Sequence, residues 1–347
     1  MASNVLKISS PIFMGNPIVY QATAEAEPYD SNTQQYLCTF HRVKMKLTIT
    51  NLLDSSVSSY ELSSPVSAGG ETVLFDVSPA FQAAADAFEP SPVSAETMFP
   101  LFSAAIRLRD VWVRDGVVVD PAPASAGYTD VEPCLAVMGA FSDYERHLPS
   151  QSVTFSRKPA TGELVCVGDV VVYGGSKAVG NNPIVPHSFV SVITQQQLHT
   201  QVTLGNGQKV YVTDTQRGSR QFQFVNSRGV VESIRAWYRD EQTIVGSNEQ
   251  HTISRFELFN VFARRITRKF ASHTELSLSS GFVSYEWAQW WAYEFCQSEH
   301  IWMLSDDGIW LPCSVTLNDS YSVIDRNGIN MCHVDFTSIP DVDGAMR

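Results

Sequence analysis

The stretch that decides the fold is SSGFVSYEWAQWWAYEFCQSEHIWMLSDDGIWLPCSVTLNDSYSVIDRNGINMCHVDFTSI, residues 279–339. Ser284 can cap a helix, and the aromatic residues that follow it are spaced so that they share one helical face. These aromatic residues are Trp287, Trp290, Trp291 and Phe295. Asp307-Gly308 and Asn327-Gly328 then divide strand-like runs as hairpin turns. The stretch therefore predicts a short aromatic helix near 285–297, held between antiparallel strands, whose face must be covered by sheet or by another subunit.

The rest of the chain repeats this pattern of alternating strands and tight turns. Val43, Met45, Leu47 and Ile49 alternate with polar neighbours, as in a strand with one buried face. Asp115-Gly116 and Asn206-Gly207 also lie between strand-like runs, where two residues with positive φ would form each turn. These features predict a mainly β fold of antiparallel β-sandwich domains with two short packing helices.

The second predicted helix lies near residues 79–89. Ser78 is its expected N-cap, Pro79 fits the first helical position, and Pro90 ends the segment. The Pro-rich stretches 89–96 and 120–127 suggest linkers. We therefore predict an N-terminal sandwich over 1–125, a central β region over 126–240, and a C-terminal sandwich with the aromatic helix over 241–347.

Composition limits the classes of partner. The chain has 347 residues and a formal net charge of −12, which argues against a broad nucleic-acid-binding surface. One local basic run stands out, comprising Arg264, Arg265, Arg268 and Lys269. We interpret this run as a charged strand face or subunit contact, with an acidic partner or a nucleic-acid backbone as the alternatives. No apolar run approaches the ~18 residues of a spanning helix, so no membrane span is predicted, and the N-terminus lacks the layout of a secretory signal.

No sequence motif indicates a particular reaction, and we predict no catalytic residue, metal site or cofactor. The six cysteines form no CxxC pair and are expected to be reduced and mostly buried. The run YGGSKAVGNN, residues 173–182, lacks the Lys-Ser/Thr ending of a phosphate loop, so it predicts a flexible loop between strands. Trp302 and Trp310 flank the Asp307-Gly308 turn and are candidates for stacking on glycans, or for packing across two strands. A glycoside hydrolase would need two carboxylates in a groove, which the sequence does not place.

Three segments resemble a known class of proteins. SPIFMGNPIVYQ (10–21) opens the chain, FDVSPAFQAAADAF (75–88) closes the first β region, and SSGFVSYEWAQWWAYEF (279–295) leads into strands that end in HVDFTSI (333–339). This order resembles tail-tip and baseplate structural proteins, such as distal tail proteins, of tailed bacteriophages and prophages. The resemblance implies a non-enzymatic virion protein that forms a homo-oligomeric ring and connects the tail tube to receptor-binding parts.

The same resemblance sets the expected partners and location. Other phage tail proteins would be neighbours in the virion tail, after assembly in the host bacterial cytoplasm, and DNA would be met only by passing through a lumen. The alternative hypothesis is a carbohydrate-binding module or adhesin that recognises host surface glycans through Trp302 and Trp310.

Overall fold

The computed structural model describes residues 12–24, 29–30, 35–36, 40–66, 72–115, 117–119, 128–140, 154–179, 182–214, 218–257, 260–318, 322–326 and 329–341. Strands make up 58% of the structure, in several antiparallel sheets with short helices, so the predicted mainly β class is confirmed. Among the described residues, no helix has the length and apolar content needed to cross a membrane.

The elements follow in chain order. The first strands are β1 (Ile12–Phe13), β2 (Val19–Thr23), β3 (Tyr29–Asp30), β4 (Gln35–Tyr36), β5 (Phe40–Asn51), β6 (Val57–Pro65), β7 (Thr72–Asp76), β8 (Thr97–Met98), β9 (Leu101–Arg114), β10 (Val117–Val119) and β11 (Thr129–Val137). The next are β12 (Thr161–Cys166), β13 (Val170–Val179), β14 (Asn182–Val192), β15 (Gln201–Thr203), β16 (Lys209–Thr213), β17 (Ser219–Val225), β18 (Val231–Glu257) and β19 (Asn260–Ser279). The last are β20 (Ile301–Leu304), β21 (Trp310–Leu317), β22 (Ser322–Arg326), β23 (Ile329–His333) and β24 (Asp335–Pro340). The helices are α1 (Ser78–Asp86) and α2 (Tyr285–Trp290), with a 3-10 turn at Gln195–Gln197 and a π-helical turn at Trp291–Phe295.

The N-terminal unit is a two-layer structure. One layer is the sheet β1-β11-β9-β5-β6, with β10 paired to β9, and the other is the β2-β7 pair together with α1. The alternation predicted for β5 is confirmed, because Val43, Met45, Leu47 and Ile49 are all buried in the core between the layers. Period-two spacing places such residues on one face of the sheet.

Helix α1 begins differently from the prediction. Ser78 is the first helical residue and makes no capping bond; its Oγ accepts a hydrogen bond from Ile18 N at 2.7 Å. Its own N–H donates to Asp76 Oδ1 at 3.0 Å. The predicted cap residue therefore ties the helix to the chain entering β2, and Pro79 occupies the first turn as expected.

The central unit contains two small sheets, β12-β16-β15 and β13-β14-β8. The glycine-rich run predicted as a loop lies mostly in β13, where residues 173–179 pair with β14. That prediction was wrong because both glycines are needed for close packing inside the strand. A Cβ at Gly174 would meet Phe155 O at 2.5 Å, and one at Gly175 would meet the Phe189 ring at 2.8 Å.

The C-terminal unit is a closed sheet, whereas a sandwich was predicted. Its strand order is β17-β18-β19-β24-β21-β20, and β20 returns to pair with β17. Residues facing the interior form one apolar cluster with α2, including Phe222, Phe224 and Phe336. Because the sheet closes on itself, its inner face packs on α2 and on Cys332 of β23, which belong to the same cluster.

The hairpin turns follow a different geometry from the predicted one. At Asp307-Gly308 only the glycine has positive φ, 77°, and Gly308 N donates to Ser305 O at 3.1 Å while Ser305 N donates to Ile309 O at 2.9 Å. Asn206-Gly207 has the same arrangement. These are three-residue loops with a bulged glycine rather than two-residue turns.

Two of the predicted turns lie at the edge of the described residues. Asp115 has the predicted positive φ, 51°, while its partner Gly116 lies outside the described residues, as does Asn327-Gly328. In both hairpins the strands pair up to the residues that flank the dipeptide.

The sheets divide the chain at other places than the predicted boundaries. β11 lies beyond residue 125, yet it pairs with β9 and β1 in the N-terminal sheet. β17 lies before residue 240 and β18 runs across it, and both belong to the closed sheet. Because β11 pairs with β1 near the start of the chain as well as with β9, the Pro-rich stretch 120–127 between them does not mark the end of a unit.

Candidate functional site

The aromatic helix is built as its sequence predicts. Ser284 Oγ accepts a hydrogen bond from Trp287 N at 3.3 Å and caps α2, which continues into the π-helical turn. The four aromatic residues of the predicted face, Trp287, Trp290, Trp291 and Phe295, are 4%, 4%, 2% and 0% exposed, whereas Tyr285 and Tyr293 in the same segment are exposed. The indole N–H of Trp287 also donates to Thr161 O in β12 at 2.6 Å. The helix thus contacts both the closed sheet and the central unit.

The cover for this face comes from the same chain. Trp291 stacks on Phe336 of β24 with ring centroids 5.7 Å apart, and Trp290 meets Phe224 of β17 edge to face at 5.5 Å. Because its side chains are buried inside the subunit, the face serves packing and is not available for assembly in the folded chain. The sequence left open whether sheet or another subunit covers this face, and the structure covers it with the chain's own sheet.

The two tryptophans proposed for glycan stacking lie on one face of neighbouring strands. Trp302 is opposite Pro312 and Trp310 is opposite Leu304, so the two indoles are diagonal neighbours across β20 and β21. Trp302 is 8% exposed and belongs to a core cluster against which Trp310 packs. A stacking platform must present its ring face to solvent, so Trp302 does not serve as a glycan contact.

The basic run lies on a long two-stranded extension of the closed sheet. β24 pairs with β19 only at 276–279, and β17 pairs with β18 only at 231–237. Farther out, from the pair Thr243–Glu275 to the pair Glu257–Asn260, the described parts of β18 and β19 pair only with each other. We call this ribbon, residues 243–257 and 260–275, the arm. At about 3.3 Å per residue it is about 50 Å long.

The candidate basic residues all lie on the β19 strand of the arm. Arg264 and Arg265 are opposite Ile253 and Thr252, Lys269 is opposite Glu249, and Arg268 lies at the register shift between them. The sequence from 243 to 275 carries five Lys or Arg and three Asp or Glu, a net charge of +2. The whole chain has a net charge of −12, so the residues outside 243–275 have a net charge of −14. The arm is therefore a weakly basic element on a strongly acidic subunit.

A part-buried ion pair joins the central unit to the closed sheet. Arg157 donates to Glu294 Oε1 at 2.5 Å, and the same carboxylate accepts from Ser227 N at 3.0 Å and Ser227 Oγ at 2.9 Å. Burial raises the pKa of Glu294, and Arg157 and the Ser227 bonds oppose that rise. Because these partners belong to three separate segments, the contact acts as a clamp between the units.

A second buried network surrounds Lys158. Its ammonium donates to Glu163 Oε1 at 2.7 Å and to Ser233 O. Nearby, the fully buried Glu232 accepts from Gly174 N at 3.1 Å and from Asn226 Nδ2 at 3.0 Å. Burial raises the pKa of Glu232, with Lys158 acting in the opposite sense. Every one of these carboxylates is held by donors of the protein, which is the arrangement of a structural network.

The sequence pattern did not predict the buried carboxylates Glu232 and Glu294. The feature that could have indicated their burial is a charged residue beside apolar ones: Glu232 follows Val230 and Val231, and Glu294 precedes Phe295. Such a position indicates burial with a partner, but Gly174 lies 58 residues from Glu232 and Arg157 lies 137 residues from Glu294.

Of the described cysteines, Cys166 and Cys332 are buried, whereas Cys134, Cys296 and Cys313 are half-buried, so the predicted burial holds for only two of the five. The described ones are free thiols, and burial raises the pKa of both Cys296 and Cys313 to about 12. No group of three or more His, Cys, Asp or Glu suited to a metal ion occurs among the residues that the structure describes. Cys38 lies outside that part of the chain.

Comparisons with known protein families, with curated proteins and with solved structures found no match. The function is therefore argued from the geometry of the molecule together with the resemblance stated above.

Proposed function

We propose that this protein is a non-enzymatic virion structural protein of a phage tail tip or baseplate, which assembles into a homo-oligomeric ring and connects the tail tube to receptor-binding parts. The assignment to a phage tail rests on the resemblance of residues 10–21, 75–88 and 279–339. The observation that supports assembly is the arm.

The arm has the physical properties of an element that pairs with another molecule. A two-stranded hairpin without a third strand is marginally stable in water, and its outer edges leave backbone N–H and C=O groups unpaired. Adding the arm as a strand pair to a sheet of a neighbouring subunit would pair these backbone groups along a length of about 50 Å. We expect this contact to stabilise the arm and the ring together.

Charge favours a second copy of this chain as the neighbour. The arm carries +2 and the rest of the subunit −14, so an arm is attracted to the body of another copy. A contact between an arm and a body joins two different surfaces, and repeating such a head-to-tail contact closes a ring when the rotation permits.

The experiment is the native mass of the protein by light scattering coupled to size exclusion, over a wide concentration range. We expect the wild type to show a single native mass that is a whole multiple of the 38.4 kDa subunit. In a shortened variant, residues 245–273 are replaced by Asn-Gly, so that Ile244 and Thr274, which are opposite each other, close a hairpin. This variant is expected to be a monomer with unchanged unfolding of the closed sheet.

A charge-reversed pair of variants tests the electrostatic part. Arg264→Glu with Lys269→Glu should weaken assembly, whereas Lys46→Glu with Lys209→Glu makes the same change in net charge outside the arm and should not. A wild-type protein that stays a monomer at every concentration would contradict the ring. Assembly of the shortened variant equal to wild type would show that the arm is not the contact.

A further inference from the structure

The face of the N-terminal sheet that points away from its core carries a patch of basic side chains. Along β5 and β9 these side chains alternate with residues that are buried in the core. The strand register sets them side by side, with Lys44 opposite Arg109 and Lys46 opposite Arg107. We call this patch the basic face; its members are Arg42, Lys44, Lys46, Arg107 and Arg109.

Two carboxylates neutralise part of this charge. Lys44 Nζ donates to Glu61 Oε1 at 3.1 Å, and Arg107 Nε donates to Asp130 Oδ1 at 2.6 Å. These five cations and two carboxylates sum to a net charge of +3. Since like charges directly opposite each other on neighbouring strands repel, an anion that binds here relieves a repulsion that the fold leaves in place.

The basic face is open to solvent. Lys46 is exposed and makes no hydrogen bond or ion pair within the part of the chain that the structure describes. The side chains of Arg107 and Lys44 are 48% and 30% exposed beside their carboxylate partners. Farther along the same face, Leu101 and Val137 pack in a core cluster shared with the central unit. An incoming molecule can therefore reach the basic end of the face, while the other end is covered.

The make-up of the face favours phosphate groups over a protein surface as its partner. The centre of a protein interface is depleted in lysine and is built around large apolar or aromatic anchors. The basic face has lysines at its centre, and the residues that follow on the same face, Thr48 and Ala105, are small. Contacts to a nucleic-acid backbone need no apolar centre, because Lys, Arg and hydroxyl groups bind the phosphate oxygens directly.

One exposed aromatic ring lies on the same face. Phe40 is the first residue of β5, two residues before Arg42, and is 46% exposed. This spacing puts the two residues about 7 Å apart along the strand. A ring beside a row of cations lets a base stack while the neighbouring phosphates meet the charges, an arrangement typical of proteins that bind single strands. The bases of a duplex are already stacked on one another, so the ring favours a single strand.

The acidic remainder of the chain is screened from such a ligand. Since the whole chain has a net charge of −12 and these seven charged residues contribute +3, the other residues contribute −15. At physiological ionic strength, charges are screened over about 8 Å. Arg42 and Lys46 are about 13 Å apart along β5, so a phosphate at the centre of the face lies within about one screening length of these cations.

We propose that the basic face binds a single strand of nucleic acid without sequence preference, with its phosphates on the five cations and a base stacked on Phe40. This site is separate from the arm and does not depend on ring assembly.

The test is the fluorescence anisotropy of a labelled oligothymidylate of about twelve nucleotides, titrated with the full chain at several salt concentrations. We expect a Kd of about 1 to 100 µM at physiological salt. Each phosphate contact contributes about 0.7 to the fall of the logarithm of the association constant with the logarithm of the salt concentration, so about three to five contacts give a slope of about −2 to −3.5.

Two double variants show whether the strand binds on this face. Lys46→Gln with Arg107→Gln removes two charges from the face and should weaken binding about 10-fold, with a slope smaller by about 1.4. Lys177→Gln with Lys209→Gln makes the same change in net charge at exposed positions of the central unit and should leave both quantities unchanged.

Phe40→Ala tests the stacking contact. It should weaken binding of the single strand about 5-fold and leave binding of a duplex of the same length unchanged. The proposal is overturned if the oligonucleotide does not bind with a Kd below about 1 mM, or if the two double variants bind it alike. It is also overturned if poly-L-glutamate competes as well as a strand of equal charge, because the face then takes an acidic protein. A lower native mass of Lys46→Gln with Arg107→Gln, without oligonucleotide binding by the wild type, would instead assign the face to contact with a second copy.

Discussion

Replacing Trp291 by alanine tests how the aromatic helix is held in the closed sheet. The indole is 2% exposed and meets three other rings. It lies edge to face with Phe295 at 5.0 Å and Trp290 at 5.9 Å, and it stacks on Phe336 at 5.7 Å. Truncating a buried tryptophan to alanine costs about 3 to 5 kcal/mol, a range that already includes the lost contacts with neighbouring rings. We expect Trp291→Ala to lower the free energy of unfolding by about 3 to 5 kcal/mol.

The assay is urea unfolding followed by far-UV circular dichroism, because a fluorescence signal would change with the tryptophan itself. Tyr293→Ala is the matched control. Tyr293 lies in the same π-helical turn but is 59% exposed, so its loss should cost less than about 0.5 kcal/mol. Both changes alter helix propensity by only a few tenths of a kcal/mol in the same direction, so the difference between them measures packing.

If the free energy of unfolding of Trp291→Ala equals that of Tyr293→Ala, or if Trp291→Ala assembles and unfolds like the wild type, then Trp291 does not hold the helix in the closed sheet. A loss confined to assembly, with unfolding unchanged, would mean that the helix face contacts another subunit, contrary to its burial here.

Two further predictions concern the Arg157–Glu294 ion pair and the glycines of β13. Arg157→Met leaves the Glu294 carboxyl buried without its cation, so the free energy of unfolding should fall by about 3 kcal/mol near pH 7. Burial holds the folded pKa of Glu294 above its ordinary 4.5, so protonation favours the folded state, and this stability is lost as the pH rises through the folded pKa. The deficit of Arg157→Met should therefore shrink as the pH is lowered from about 7 in urea titrations. A deficit that does not change with pH would contradict the ion pair. Gly174→Ala brings a Cβ to 2.5 Å from Phe155 O and should lower the melting temperature more than Gly175→Ala, whose contact is a side-chain ring that can move; equal effects would refute the steric reason.

Local patterns predicted what depends on neighbours in sequence. The period-two spacing in β5 puts Val43 and Met45 on one buried face, and the helical spacing after Ser284 puts the aromatic residues on another. The Ser78 cap failed for a non-local reason: its hydroxyl accepts a hydrogen bond from Ile18 N, which lies 60 residues earlier in the chain. A capping motif predicts the start of a helix only when no distant donor takes the oxygen.

The sequence by itself determined the β class, the aromatic helix and its cap, and a basic run on an acidic chain, because periodicity, capping and net charge are properties of short segments. Only the tertiary structure decided that the aromatic face is covered from within, that Trp302 is buried, and that the glycines of β13 are strand residues. The tertiary structure also gave the arm its length and paired Glu294 with Arg157, 137 residues away. These outcomes depend on which distant strands close the sheet, and many pairings satisfy the same alternating pattern until packing selects one.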